Sequence, residues 1–284
     1  MTDQKSLAAE HAQRSLPACI PIARSNNPAI RRIRRLQLRK ERERTGTFFV
    51  EGVRLVLAAV EQAAELETLV LAPELLDSPL RSGAVLSRLP AGVRRMSVTP
   101  DLLRSVAHRD DVQGVGAVVR QRFSLLAEAQ PRPASRWLAL DGIQYPGNLG
   151  TILRACDAAG CAGVVLIGSS ADPFDPIAVR ASMGAIFFQR IFRASFPEFA
   201  AWCARHRVAI IGASPEAGVH YRQAEYPTPG ALLLGSEAKG LPPEFLARCA
   251  AVVRIPMGGA CDSLNVAMAA TVLMYEMAAR AAER

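Results

Sequence analysis

Short, mostly apolar runs alternate with helix-like segments through the second half of this chain. The runs at 137–143, 163–168, 187–192, 208–212, 231–235 and 251–255 read as strands. Residues 149–159, 175–183, 197–206, 243–249 and 264–279 carry apolar positions at helical spacing. A strand that is apolar throughout belongs to a sheet covered on both faces, and strands that take turns with helices build a mostly parallel sheet.

The first half repeats the alternation on a smaller scale. Strands are expected at 47–50, 69–71, 94–98 and 115–119, with helical pieces near 73–76 and 100–105. FFVEGVRLVLAAVEQA (48–63) turns from strand to helix at Glu51-Gly52. Between the halves, AEAQPRPASR places two prolines among small and charged residues, the composition of a semi-rigid linker. The expected organisation is a loose polar tail (1–24), an α/β unit (25–126), a linker (127–135) and a second α/β domain (136–284).

Composition sharpens the picture in three ways. Half of the 284 residues are hydrophobic, which supports a sizeable core and excludes global disorder. The formal charge of +8 points to a polyanionic partner, and its distribution says more than its total. Between residues 31 and 44, Arg31, Arg32, Arg34, Arg35, Arg39, Lys40, Arg42 and Arg44 face only Glu41 and Glu43. Pro28 suits a first helical turn, and Ile30, Ile33 and 36–38 supply a modest apolar face, so the run reads as one short basic helix. A membrane-surface role fits poorly, because that face is short and lacks tryptophan. The six cysteines include no CxxC pair and no nearby histidine set, which is neither a zinc pattern nor a disulfide framework; reduced thiols in a cytoplasmic protein are expected. The N-terminus lacks a signal-peptide core, and no apolar run reaches membrane-span length.

Three loops concentrate the chemistry. DGIQYPGNLGTILRACDAAG (141–160), LLLGSEAKGL (232–241) and IPMGGACDSLNVAMAA (255–270) each leave a strand through glycine and polar residues, and the first and third continue as helices. In a parallel sheet such loops gather at the carboxyl ends of the strands, where ligands bind. Neither the G-x-G-x-x-G spacing nor a Walker loop is present, which argues against dehydrogenases and nucleotide hydrolases. A helix cap is an alternative role for Asn148 and for Ser263, and an ion pair with Lys239 for Glu237.

Taken in order, these three stretches resemble the signature motifs of the SpoU/TrmH family of ribose 2′-O-methyltransferases, within the SPOUT class. RASMGAIFF (180–188) is similar to a family segment between the first two motifs, and RKERERTGTFFVEG and DDVQGVGAVV resemble its small substrate-binding domain. The resemblance implies a C-terminal parallel-sheet domain tied in a trefoil knot, preceded by a ribosomal-protein-like α/β RNA-binding domain. It implies S-adenosylmethionine as methyl donor, held largely by backbone groups at Ala213, Gly235, Ile255 and Leu264. Arg154 would be catalytic, with Asn148, Glu237, Ser263 and Asn265 completing a polar cluster. Arg31, Arg32, Arg34, Arg35, Arg39, Lys40 and Arg54 would grip RNA, with ribosomal RNA favoured over transfer RNA. A homodimer and no metal are also implied. The alternatives are a non-catalytic RNA-binding protein on the same fold and methylation of a base. The chain departs from the family pattern at Tyr145, where an acidic residue is common, and at Cys261-Asp262.

Overall fold

The computed structural model describes residues 19–76, 87–107 and 109–282. They form two compact units, one of the described residues up to Gln121 with Phe174–Pro176, the other of Arg122–Pro173 with the described residues from Ile177 on. No helix among the described residues is long and apolar enough to cross a membrane, and all six cysteines are free thiols.

The first unit is a five-stranded mixed sheet with short helices. Its strands are β1 (Ile20–Ile22), β2 (Thr47–Glu51), β3 (Leu66–Leu71), β4 (Arg94–Val98) and β5 (Val115–Arg120), in the order β1-β4-β3-β5-β2. Part of the stretch expected as a loose tail is therefore an edge strand, with Ile20 to Ile22 parallel to Met96 to Val98. Residues 1–18 of that expected tail lie outside the described residues.

The expected single basic helix is two, α1 (Pro28–Arg35) and α2 (Arg39–Thr45). Asn27 caps α1 by accepting from the Ala29 amide at 2.9 Å, with Pro28 in the first turn. The break has a physical cause in Arg42. Its side chain is 1% exposed, and its Nη1 donates to the carbonyls of Leu36 (2.9 Å) and Gln37 (2.8 Å) beyond the end of α1. Asp175, in the same unit, accepts from Nη2 at 3.2 Å. One cation from the basic run thus holds up the fold. Beyond it, α3 (Val53–Glu61) starts after Gly52 at φ +106°, as the Glu51-Gly52 turn predicts, and α4 (Pro100–Ala107) follows β4.

The second unit carries seven parallel strands: β6 (Arg136–Asp141), β7 (Gly163–Ile167), β8 (Ile191–Ala194), β9 (Ala209–Ala213), β10 (Val219–His220), β11 (Gly230–Leu234) and β12 (Ala251–Arg254). Their order is β10-β12-β9-β11-β6-β7-β8. All residues of β7 and β11 are buried, as the unbroken apolar runs require. One side of the core is aromatic: Trp137 meets Trp202 edge-on at 4.8 Å, and Phe192, Phe196 and Phe199 complete the cluster. The Trp202 indole donates to the buried Ala129 carbonyl at 3.1 Å, so the head of the stretch expected as linker is packed into this unit.

Helices α5 (Pro146–Ala158), α6 (Pro176–Ala181), α7 (Ala185–Phe188), α8 (Phe196–His206), α9 (Pro243–Leu246) and α10 (Val266–Ala282) connect and cover the strands. The helix expected at 175–183 stops early because Met183 (φ +52°) and Gly184 (φ +101°) are left-handed. Phe187 and Phe188 then finish the short α7, so the strand expected from 187 begins only at Ile191.

The sheet order sets β12, β9, β11 and β6 side by side. Because all four are parallel, their carboxyl ends and following loops lie along one edge. The three motif loops are the ones leaving β6, β11 and β12.

Candidate active site

The three motif loops are joined by a directed chain of side-chain hydrogen bonds. Asn265 Nδ2 donates to Asn148 Oδ1 at 3.0 Å, and Asn148 Nδ2 donates to Glu237 Oε1 at 2.9 Å. Glu237 also accepts from the backbone amides of Gln144 (3.0 Å) and Tyr145 (3.5 Å). Partial burial pushes the Glu237 carboxyl up, but the bonds from Asn148 and the loop amides outweigh it and hold it below its ordinary value. The carboxylate is therefore the charged anchor on which the first loop is hung.

Helix ends explain how these side chains are placed. Tyr145 is extended (φ −92°) ahead of Pro146, so α5 begins before Asn148. Asn148 is thus inside the first turn, and the capping role considered for it is overturned. Asn265 Oδ1 accepts from the Ala267 amide at 2.9 Å, so Asn265 rather than Ser263 caps α10. Ser263 is exposed outside the network. Glu237 takes Asn148 as its partner in place of Lys239.

Arg154 lies seven residues beyond Gly147 on α5, which at 3.6 residues per turn returns to nearly the same face. It is exposed, with no hydrogen bond or ion pair among the described residues. The same face borders an open cleft of about 380 Å³ lined by Tyr145, Gly147, Asn148, Thr151, Ile177, Arg180 and Ala181. Sequence reasoning placed Arg180 and Ala181 in a family segment but did not set them against α5. Gly150 was the available signal, since a Cβ there would lie 2.2 Å from the Ala178 carbonyl oxygen, and the two helices touch at that point.

The residues expected to hold the methyl donor line up along the same sheet edge. Ala213 ends β9, Gly235 follows β11, Ile255 follows β12, and all three are half-buried, as is Leu264. The backbone of residues 256–264 makes no hydrogen bond among the described residues, which leaves its amides and carbonyls for a ligand or water. Small side chains at strand ends, beside a backbone with free donors and acceptors, fit a nucleoside held through main-chain groups.

The basic residues divide. Arg31, Arg35 and Lys40 are exposed and make no side-chain hydrogen bond or ion pair among the described residues. Arg32 pairs with Glu67 (2.6 Å), Arg34 donates to Ser105 Oγ (3.0 Å), and Arg39 pairs with Glu43 (2.8 Å). Arg54 is exposed on α3.

Comparison with known proteins places this geometry. The SpoU rRNA Methylase family matches residues 135–275, and an MRM3-like substrate binding domain matches residues 27–117. A 23S rRNA (uridine(2479)-2′-O)-methyltransferase of Streptomyces viridochromogenes is 32% identical, with 84% of each chain covered.

The chain belongs to the SpoU methylase family.

Another SpoU relative, the 23S rRNA (guanosine(2553)-2′-O)-methyltransferase RlmP of Bacillus subtilis, is 28% identical over 90% of this chain and 98% of its own. The AdoMet-bound rRNA methyltransferase from Sinorhizobium meliloti superposes with a TM-score of 0.83 at 34% identity, covering 90% of this chain and 96% of that one. The SpoU assignment carries the enzyme class and the donor expected from the three motifs, a methyltransferase that uses S-adenosylmethionine. It also carries the α/β fold with an N-terminal substrate-binding domain.

Proposed function

We propose that this protein methylates a ribose 2′-hydroxyl in structured RNA, ribosomal RNA in preference to transfer RNA. The observation that carries the reading is the Asn265–Asn148–Glu237 chain, which ties three separated motif loops into one polar centre beside the cleft. The names of the two relatives above, both 23S rRNA 2′-O-methyltransferases, support the RNA class and the ribose position.

When bound, S-adenosylmethionine supplies an electrophilic methyl on a sulfonium with a good thioether leaving group. The chain must then make a poor nucleophile better. Methylation would displace the hydroxyl proton to solvent, and negative charge would gather on the ribose oxygen as it left. Arg154 is the group to meet it. A guanidinium with pKa above about 12 stays protonated, so it works as a fixed cation that stabilises developing alkoxide and grips a neighbouring phosphate. Asn148, held at both ends of its amide, orients the first turn of α5 and thereby Arg154. Glu237 anchors that arrangement, Asn265 links it to α10, and Ser263 flanks the donor. Ala213, Gly235, Ile255 and Leu264 border the donor.

A trefoil-knotted path for this domain is part of the same reading and rests on the resemblance of its three motifs to the family's. Dimerisation through this domain belongs to the same reading; Met268 and Tyr275, 61% and 51% exposed on α10, support it. Arg31, Arg35 and Lys40 take RNA phosphates, while Arg32, Arg34, Arg39 and Arg54 add charge around them.

The test is methyl transfer from labelled S-adenosylmethionine to RNA from a strain lacking the gene, with nucleoside analysis of the product. A single labelled 2′-O-methyl nucleoside in ribosomal RNA is expected. Label on a base overturns the ribose assignment, and donor binding without transfer favours the RNA-binding alternative. Arg154→Ala should lower the transfer rate by roughly 10²–10³ with donor affinity unchanged, the scale for losing a transition-state donor. Transfer at the native rate by this variant would remove Arg154 from the mechanism.

A further inference from the structure

The cleft beside the catalytic network has two unspent groups, and they are of the kinds that hold a nucleotide. Asn148 is committed to Glu237 and Asn265, and Thr151 Oγ1 donates to the Gly147 carbonyl at 2.8 Å. The Arg180 guanidinium, by contrast, has no hydrogen-bond partner among the described residues, and the Tyr145 ring borders the same cleft. Tyr145 is 56% exposed, a large aromatic surface left in water.

That ring lies against the start of α5. The Tyr145 amide is tied to Glu237, Pro146 follows it, and its Cε1 would lie 2.5 Å from any Cβ at Gly147. Glycine at 147 is what lets the ring lie down on the start of α5, with its remaining surface facing solvent. Arg180 comes from α6, whose distance from α5 is set by the Gly150–Ala178 contact. An exposed aromatic face is a stacking platform for a base, and a guanidinium matches phosphate bidentately.

Resting on the function proposed above, we infer that this cleft is a nucleotide subsite in which a base of the RNA substrate stacks on Tyr145 and its phosphate is held by Arg180. An unpaired, splayed-out nucleotide is required, because a base inside a duplex has no free face to offer. The residue at which the chain departs from its family pattern thereby becomes a determinant of which RNA is chosen.

The experiment measures initial rates against concentration of 23S rRNA from a strain lacking the gene, at saturating S-adenosylmethionine. The proteins are the native one and Tyr145→Phe, Tyr145→Ala, Arg180→Lys and Arg180→Ala, each with its donor affinity measured separately. Tyr145→Phe, which keeps the ring, should raise KM far less than Tyr145→Ala. Tyr145→Ala should raise KM by about tenfold, within the range for one lost base–aromatic stack, while kcat and donor affinity stay close to native. Arg180→Ala should also raise KM and reduce the slope of log KM against log salt by about one, with Arg180→Lys partly restoring both. A native KM in Tyr145→Ala, or an equal loss in Tyr145→Phe, would overturn the stacking subsite. An unchanged salt slope in Arg180→Ala would overturn its phosphate contact. If the native protein methylates no RNA, the function proposed above fails, and that outcome is distinct from an active enzyme indifferent to Tyr145.

Discussion

Glu237 shows how a single carboxylate ties separated loops together. It collects one side-chain and two main-chain donors, so its charged form is favoured in the folded protein. A carboxyl whose pKa is depressed on folding stabilises above its unfolded value and loses that contribution as pH falls through the folded one. The thermal-stability gap between the native protein and Glu237→Gln should therefore be widest near neutral pH. It should close as the solution is acidified below the ordinary carboxylate value of 4.5. Melting curves across that range check it, and a gap that widens in acid would contradict it. The residues of this network were legible in sequence as members of three motifs. Their roles as cap, bridge and anchor were not, because capping depends on where each helix starts, and the helices start before Asn148 and after Asn265.

At the scale of elements, the hydrophobic pattern was a good guide to most strands of four residues or more. β4, β5, β7, β9, β11 and β12 fall within a residue or two of expectation. The pattern was silent on β1 and β10, which have three and two residues and too few positions to show a period. It misread 175–192, where two left-handed residues that no apolar spacing reveals break the chain direction. Gly150 sets local preference against packing. Alanine there improves helix propensity by about 1 kcal/mol over glycine. Yet the new methyl would sit 2.2 Å from a backbone oxygen and 2.8 Å from Ala181 Cβ, and neither is a flexible group that can step aside. Overpacking of that sort costs about 1–3 kcal/mol, so Gly150→Ala is expected to lower the denaturation midpoint despite its better helix former. Midpoint measurements in denaturant decide between the two effects.

Across the whole molecule, formal charge overstates the surface available to a polyanion. Arg42 is buried at the end of α1, and Arg32, Arg34, Arg39 and Arg44 already have partners, which leaves Arg31, Arg35 and Lys40 as the open cations of the run. Two classes of variant should separate cleanly. Arg42→Ala leaves two helix-end carbonyls and Asp175 without their donor and should cost about 3–5 kcal/mol of stability. Replacing Arg31, Arg35 and Lys40 by Gln should leave the melting temperature nearly unchanged. It should weaken RNA binding and reduce its salt slope by about three, roughly one per lost phosphate contact. Filter binding at several salt concentrations, beside calorimetry, reads both; a triple variant with the native slope would place the RNA elsewhere.

The hydrogen-bonded chain through Asn148 also has a consequence in time. Asn148 is 89 residues from Glu237 and 117 from Asn265. During synthesis at about 5–20 residues per second, the first motif leaves the ribosome roughly 6–23 s before its last partner has been made. Throughout that interval Asn148 lacks both of its clamps and Arg154 sits on a helix with nothing to aim it. On the function proposed above, a nascent copy would transfer no methyl group to RNA, the ribosome's own included, until most of its second domain has been translated.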